Sequence, residues 1–276
     1  MQEEIIYDIS NLECQYIPGT TVLKIPNLQI PKGKLVFVLG VSGIGKSTFI
    51  ETLGLMNRTI HVTEETSVKF NNGGELEEIK NIWERDNRSL SKFRNDHFSF
   101  IFQNTNLMPN FSAGENMCIS MLIEGKKLSD VKEKVLEVME KLNLDAELYD
   151  RKIQELSGGQ RQRLAFVRAI IAGFNVLFGD EPTGNLDRDT GHKLMRTLKS
   201  NLSEYNRTGI IVSHDIDLAL SFADIILLLS KTGEGEELHG TFDDQYYLVK
   251  EGQEWKRKDG SKLENPLELI SEILTK

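Results

Sequence analysis

Leu35-Val36-Phe37-Val38-Leu39-Gly40-Val41-Ser42-Gly43-Ile44-Gly45-Lys46-Ser47-Thr48-Phe49-Ile50-Glu51-Thr52-Leu53 is the stretch on which the reading of this chain turns. Its first five residues form an unbroken apolar run of strand length, the pattern of a strand buried on both faces. The next six are half glycine, and from Ser47 to Leu55 the sequence reads as a helix. Strand, glycine loop and helix in that order are the context in which G-x-x-x-x-G-K-S is a phosphate loop rather than a glycine-rich turn. Gly40, Gly43 and Gly45 let the backbone turn tightly and aim its N–H groups at phosphate oxygens. The helix start near Lys46 adds the positive end of its dipole. Lys46 is placed to reach β/γ-phosphates, and the Ser47 hydroxyl to bind Mg2+.

Working outward, a second strand reads at Phe98–Phe102, ending at Gln103, and others at 176–180, 209–213 and 225–229, with helical stretches between. Strand alternating with helix predicts an α/β fold with a parallel, doubly wound sheet. Residues 5–39 read as short strands punctuated at Pro18-Gly19 and Pro31-Lys32-Gly33-Lys34, and 58–80 as a hairpin and loop around Asn71-Asn72-Gly73-Gly74. From Asn104 to Glu155, Val131, Val135, Val138, Met139 and Leu142 recur at helical spacing among Lys and Glu, so a helical subdomain with a solvated charged face is expected. Ser157 caps a helix to about Ile171. Residues 232–276 read as a charged, glycine-containing tail with a terminal helix at Pro266–Leu274.

The 276 residues carry a net charge of −9 and only two cysteines, Cys14 and Cys118, far apart. That excludes a disulfide framework or a C-x-x-C zinc site and fits a reducing compartment. The acidic balance argues against a nucleic-acid binder, which presents a basic face. No run approaches the ~18 apolar residues of a membrane span, and residues 1–8 lack the apolar core of a secretory signal.

Two further motifs narrow the reading. Leu156-Ser157-Gly158-Gly159-Gln160 lies downstream of the phosphate loop, and Val176-Leu177-Phe178-Gly179-Asp180-Glu181 follows it, running into Pro182-Thr183-Gly184-Asn185-Leu186-Asp187. With residue frequencies of roughly 7%, a given five-residue string arises about once per ~10^6 positions, so its occurrence between two nucleotide motifs is not chance. The ordered set resembles the ATPase subunit of ATP-binding cassette (ABC) proteins over roughly residues 5–230. Within that group it is most similar to the ATPases of lipoprotein-release, macrolide-export and cell-division complexes. The resemblance implies a P-loop NTPase core with an N-terminal antiparallel β subdomain and an α-helical subdomain. The corresponding boundaries are 1–235 for the ATPase domain (core about 1–103 and 157–235, helical subdomain about 104–156) and 236–276 for a C-terminal extension.

It also implies roles. Asp180 resembles the acid that holds Mg2+ through water, together with Ser47 and Gln103. Glu181 resembles the catalytic glutamate that polarises water, His214 the switch histidine, and Gln103 the glutamine that senses metal and water, with Lys46 completing the catalytic set. ATP contacts are implied for Gly40, Ser42, Gly43, Gly45, Lys46, Ser47, Thr48, Ser157, Gly158, Gly159, Gln160 and Asp187. Tyr16 lies where the family's adenine-stacking aromatic would, with Tyr7 in competition. Leu107, Pro109, Phe111, Glu115 and Asn116 follow the family pattern after Gln103. The Asn71–Asn87 insertion and the absence of proline in Ala172-Gly173-Phe174-Asn175 depart from it.

The expected partners are a second copy of the chain, or a homologous cassette, packed head to tail around two ATP molecules, and a membrane-spanning permease or similar subunit. That partner would dock on Leu107, Met108, Pro109 and Phe111, with the chain peripheral on the cytoplasmic face of the cell membrane and no nucleic acid bound. Alternatives are a soluble ABC ATPase acting on nucleic acid or ribosomes, an ATP-gated regulatory module without transport, and a cassette that binds ATP without hydrolysing it.

Overall fold

The computed structural model describes residues 3–275. In chain order the elements are β1 (Ile5–Ile17), β2 (Thr20–Pro31), β3 (Leu35–Leu39), α1 (Lys46–Leu53), β4 (Ser67–Asn72), β5 (Glu75–Glu78), α2 (Asn87–His97) and β6 (Phe98–Ile101). Then follow α3 (Ala113–Ile123), α4 (Leu128–Lys141), α5 (Gly158–Ile171), β7 (Val176–Asp180), α6 (Arg188–Glu204), β8 (Thr208–Val212) and α7 (Ile216–Phe222). The chain closes with β9 (Ile225–Thr232), β10 (His239–Glu251), β11 (Glu254–Arg257), β12 (Lys262–Leu263) and α8 (Pro266–Thr275). The chain divides into two compact units: one runs up to Arg94 and resumes at Thr208, and the other spans Asn95–Arg207.

In the first unit, β3 lies between β8 and β9, parallel to both, with Val38 opposite Val212 and Leu227. All five β3 side chains are buried, which explains the unbroken apolar run: a strand with neighbours on both edges and cover on both faces has no solvated positions. At about 1.5–3 kcal/mol per fully buried large apolar side chain, this strand anchors the unit. The N-terminal strands are longer than the punctuation suggested. β1 and β2 run antiparallel for 13 and 12 residues and absorb their irregularities as register shifts rather than breaks. β4 and β5 continue the antiparallel set, their hairpin turning at Gly73 and Gly74, both at positive φ.

The C-terminal segment differs from the tail that its composition suggests. β10 pairs antiparallel with β9 and, at Gly240 and Thr241, parallel with β2. It therefore joins the antiparallel strands to the parallel ones in a single sheet. Its exposed run Asp243–Gln245 lies between buried Phe242 and buried Tyr247 and Leu248. The terminal helix lies where it was expected.

In the second unit, β6 and β7 pair in parallel, Ile101 opposite Gly179, and Phe98 packs edge-on to Phe178, ring centroids 5.6 Å apart. α3, α4 and α5 pack against one another. α4 buries Val131, Val135, Val138 and Met139, the stripe read from the sequence. Among the described residues, no helix is long and apolar enough to cross a membrane.

Candidate functional site

The P-loop springs from the carboxyl end of β3. Gly43 and Gly45 sit at φ 76° and 102°, conformations that only glycine adopts without strain. Gly45 is also the N-cap of α1, so the first turn of that helix begins on a residue with no side chain to compete for its N–H groups. Lys46 Nζ donates to the carbonyls of Gly40 (2.8 Å) and Val41 (2.9 Å), folding the ammonium back over the loop. Thr48 is buried, and its hydroxyl lies 3.2 Å from that of Tyr16.

The two candidate aromatics separate cleanly. Tyr7 is fully buried and donates to the Leu53 carbonyl. Tyr16 is 56% exposed and held at the first turn of α1. Only Tyr16 offers a ring face to a ligand. His214 follows β8, whose successor Ser213 donates its N–H to the Val38 carbonyl. His214 and the P-loop thus leave the same end of two adjacent parallel strands, the end at which open α/β sheets bind ligands.

The second unit gathers the other group in the same way. Gln103 lies two residues beyond Ile101, the end of β6, whose partner in register is Gly179; Asp180 is the last residue of β7 and Glu181 the first beyond it. Asp180 is half-buried and Gln103 exposed. Glu181 has φ 47°, a left-handed conformation that costs a non-glycine residue about 1–2 kcal/mol and clusters at functional sites. Its carbonyl accepts the N–H of Gly184, closing a turn.

Ser157 caps α5 through a capping box: its hydroxyl accepts from Gln160 N–H (3.2 Å), and the Gln160 side chain accepts from Ser157 N–H (2.8 Å). The box uses the N–H groups of positions 157 and 160 and not those of Gly158 and Gly159. A Cβ built on Gly158 meets nothing within 4 Å, so its glycine is not required by packing within the chain. Asp187 caps α6 by accepting Thr190 N–H at 3.0 Å, and that bond holds its carboxyl below the usual range.

Two residues escaped the sequence reading of roles. Arg168, near the end of α5, donates to the carbonyls of Thr105 (2.8 Å) and Asn106 (2.9 Å). It thereby ties the segment after Gln103 to the helix that begins at Gly158. Burial pushes its guanidinium pKa down, so it is held at some expense of solvation. Asn116, fully buried, accepts from Met108 N–H at 2.7 Å and donates to the carbonyls of Met108 (3.0 Å) and Ser112 (2.9 Å). The sequence carries Asn116 as part of a pattern, but nothing local shows that its amide closes the loop 108–112. On that loop Leu107 and Met108 are half-buried, while Pro109 and Phe111 are exposed. Nearby, a cleft of about 280 Å³ opens between Phe100, Phe102, Ile119, Glu124 and Arg168.

A sequence model of the ABC transporter family matches residues 23–184. The chain is 34% identical over 248 residues to an uncharacterized ABC transporter ATP-binding protein, MJ0796, of Methanocaldococcus jannaschii, covering 89% of this chain and 95% of that one. It is 34% identical to the lipoprotein-releasing system ATP-binding protein LolD of Colwellia psychrerythraea, covering 75% and 77%. It is 36% identical to the macrolide export ATP-binding/permease protein MacB of a Shewanella species, covering 75% of this chain and 30% of that longer one. The dimeric structure of MJ0796 superposes with a TM-score of 0.69 at 30% identity, over 81% of this chain and 94% of that one. A second structure of MJ0796, in a post-hydrolysis state bound to ADP and Pi, matches equally. With the α/β P-loop fold, the ordered motifs and relatives matched over most of its length, the chain belongs to the ABC transporter family of ATP-binding cassettes.

Proposed function

We propose that this chain is the ATP-hydrolysing subunit of an ABC complex, and that it drives a separate membrane-spanning partner through ATP-dependent head-to-tail pairing with a second copy of itself. The observation that carries the catalytic part is Glu181. It stands at positive φ directly after buried β7, whose Gly179 pairs with Ile101 two residues before Gln103, a strained placement for a charged residue unless its carboxylate has work to do.

Phosphoryl transfer rests on positioning and electrostatics. The P-loop N–H groups, the α1 dipole and Lys46 hold the β/γ-phosphates. Lys46 exchanges its present bonds to Gly40 and Val41 for phosphate oxygens. Glu181 accepts a hydrogen bond from the attacking water and orients it, and His214 supports the γ-phosphate side. By the family resemblance Ser47, Gln103 and Asp180 would hold Mg2+, and their hydroxyl, amide oxygen and carboxylate are the oxygen donors that ion takes. When bound, that ion neutralises charge on the β- and γ-oxygens. Tyr16 supplies the exposed ring for the adenine.

The capped N-terminus of α5 supports the pairing. Gly158 and Gly159 present N–H groups outside the capping box, and a side chain at Gly158 would meet nothing within the chain, a fit for the γ-phosphate bound by the second copy. Asp187 borders that surface. The loop 107–111 and its neighbouring cleft suit a short helix of the membrane partner, which would place the chain peripherally at the inner face of the membrane. The domain limits proposed are 1–235 for the cassette, with 236–276 as an extension that contributes β10 to its sheet.

Glu181→Gln tests the reading. It keeps shape and hydrogen bonding but loses the charge, so ATP should still bind and hold a long-lived dimer, while phosphate release falls by about 10²-fold or more. Wild-type turnover in this variant would remove Glu181 from the mechanism.

A further inference from the structure

Three close approaches define the wall on which the P-loop rests. Gly40 faces β9: a Cβ there would lie 3.0 Å from the Leu229 carbonyl oxygen and 3.1 Å from its Cβ. Gly45 faces β2, with a built Cβ 3.4 Å from the Val22 carbonyl oxygen. The third contact comes from the other direction. Gly240, on β10, lies so near the P-loop that a built Cβ would fall well inside the 3.0 Å limit of real contacts to the Ile44 carbonyl oxygen. It would also lie 3.2 Å from Ile44 Cγ1 and Leu229 Cδ2. Gly240 is buried, and it sits where β10 pairs with both neighbours, opposite Leu23 of β2 and Lys231 of β9. A strand hydrogen-bonded on both edges cannot retreat from the loop.

Two residues on, Phe242 packs edge-on against Phe49 of α1, ring centroids 5.2 Å apart, and both rings are buried. β10 therefore touches the loop and the helix of the phosphate-binding motif together. Beyond these points it stands away. A cleft of about 380 Å³ separates Val41 and Ile44 from Asp243, Tyr246 and Ile273. The support is concentrated at positions 240 and 242.

We propose that β10 is a structural wall of the nucleotide site, with Gly240 and Phe242 as positioning residues for the P-loop; this rests on the reading above that the P-loop binds ATP. The segment beyond the family match at residue 184 thus enters nucleotide affinity through the Ile44 carbonyl and the Phe49 ring. A methyl at position 240 forces the Ile44 peptide outward by about 1 Å, and misplacements of that size cost up to about 10²-fold in function. The loss should appear in binding rather than turnover, because the groups acting on water lie elsewhere.

The test uses the full chain, with ATP affinity measured by titration calorimetry and KM and kcat by phosphate release, well below each variant's Tm. Gly240→Ala should weaken ATP binding about tenfold and raise KM in parallel, with kcat at saturating ATP within about twofold of wild type. Phe242→Leu should weaken binding about threefold, and carries the test if Gly240→Ala does not fold. Trp255→Leu is the control: Trp255 is buried on β11 under Lys250, so it loosens the far end of β10 without touching the P-loop. The proposal is overturned if both β10 variants bind ATP as wild type does, or if Trp255→Leu weakens binding equally at an equal loss of Tm. Wild-type protein that binds no ATP, or Lys46→Ala that binds it normally, would instead remove the P-loop reading beneath it.

Discussion

Replacing Asn116 with Ala should release the loop that follows Gln103 without unfolding the helices around it. The side chain is fully buried and makes three well-formed bonds to that loop, at 2.7, 2.9 and 3.0 Å. Each contributes about 0.5–1.5 kcal/mol net, so the set is worth about 3 kcal/mol. Part returns when the freed groups find water, since the loop lies near the surface, and the better alanine helix propensity restores a few tenths more. A local loss of about 2 kcal/mol remains, which is ~30-fold in an opening equilibrium. The Met108 amide reports it directly, because its donor bond ends on Asn116 Oδ1. Native-state hydrogen exchange of that amide should accelerate about 30-fold, while amides in the middle of α5 hardly change. Membrane recruitment by the partner should weaken as the loop loses its shape. If Met108 exchanges at the wild-type rate in Asn116→Ala, something other than this amide holds the loop and the reasoning fails.

Three more outcomes are expected. Gly114→Ala places a methyl about 2.5 Å from Cζ of the buried Tyr149 ring, so it should destabilise by about 1–3 kcal/mol through overpacking; adding Tyr149→Leu should recover part of that loss in thermal unfolding. Burial pushes the Cys14 thiol up to about 11 from its ordinary 9.0, so iodoacetamide at pH 8 should label native protein far more slowly than unfolded protein. Because the folded state holds this proton more tightly, the group's contribution to stability is full below about pH 9 and declines as pH rises towards 11; rising stability across that window in a comparison with Cys14→Ala would contradict the assignment. Replacing exposed Phe111 with Ser and half-buried Met108 with Asp should abolish membrane recruitment with basal ATPase activity largely kept, and a joint fall of activity and Tm would mark those side chains as core.

Much of this molecule was legible before any coordinates. Leu35–Leu39 could be read as a doubly covered strand because full burial leaves a local trace, an unbroken apolar run. The glycine loop, the Ser157 cap and the amphipathic stripe of α4 are likewise effects of neighbouring residues on one another, and they appear where the spacing put them. α2 escaped because only Leu90 and Phe93 are buried in eleven otherwise polar residues, too faint a stripe to register.

What the chain alone could not decide depends on partners distant along it. Tyr7 and Tyr16 look equivalent as letters; one is fixed by a carbonyl 46 residues away and the other by a hydroxyl 32 residues away. Glu181 is recognisable as an acid after a strand, but its left-handed backbone is a property of the folded turn. The segment after residue 232 reads as a charged tail because β10 carries a contiguous solvated run, Asp243–Gln245, that breaks any strand pattern. Its place between β2 and β9, with Gly240 against Ile44, depends on the pairing of Gly240 with Leu23, more than 200 residues earlier in the chain. Local composition determines which elements form; long-range strand pairing and close backbone approach determine which of them surround the phosphate loop.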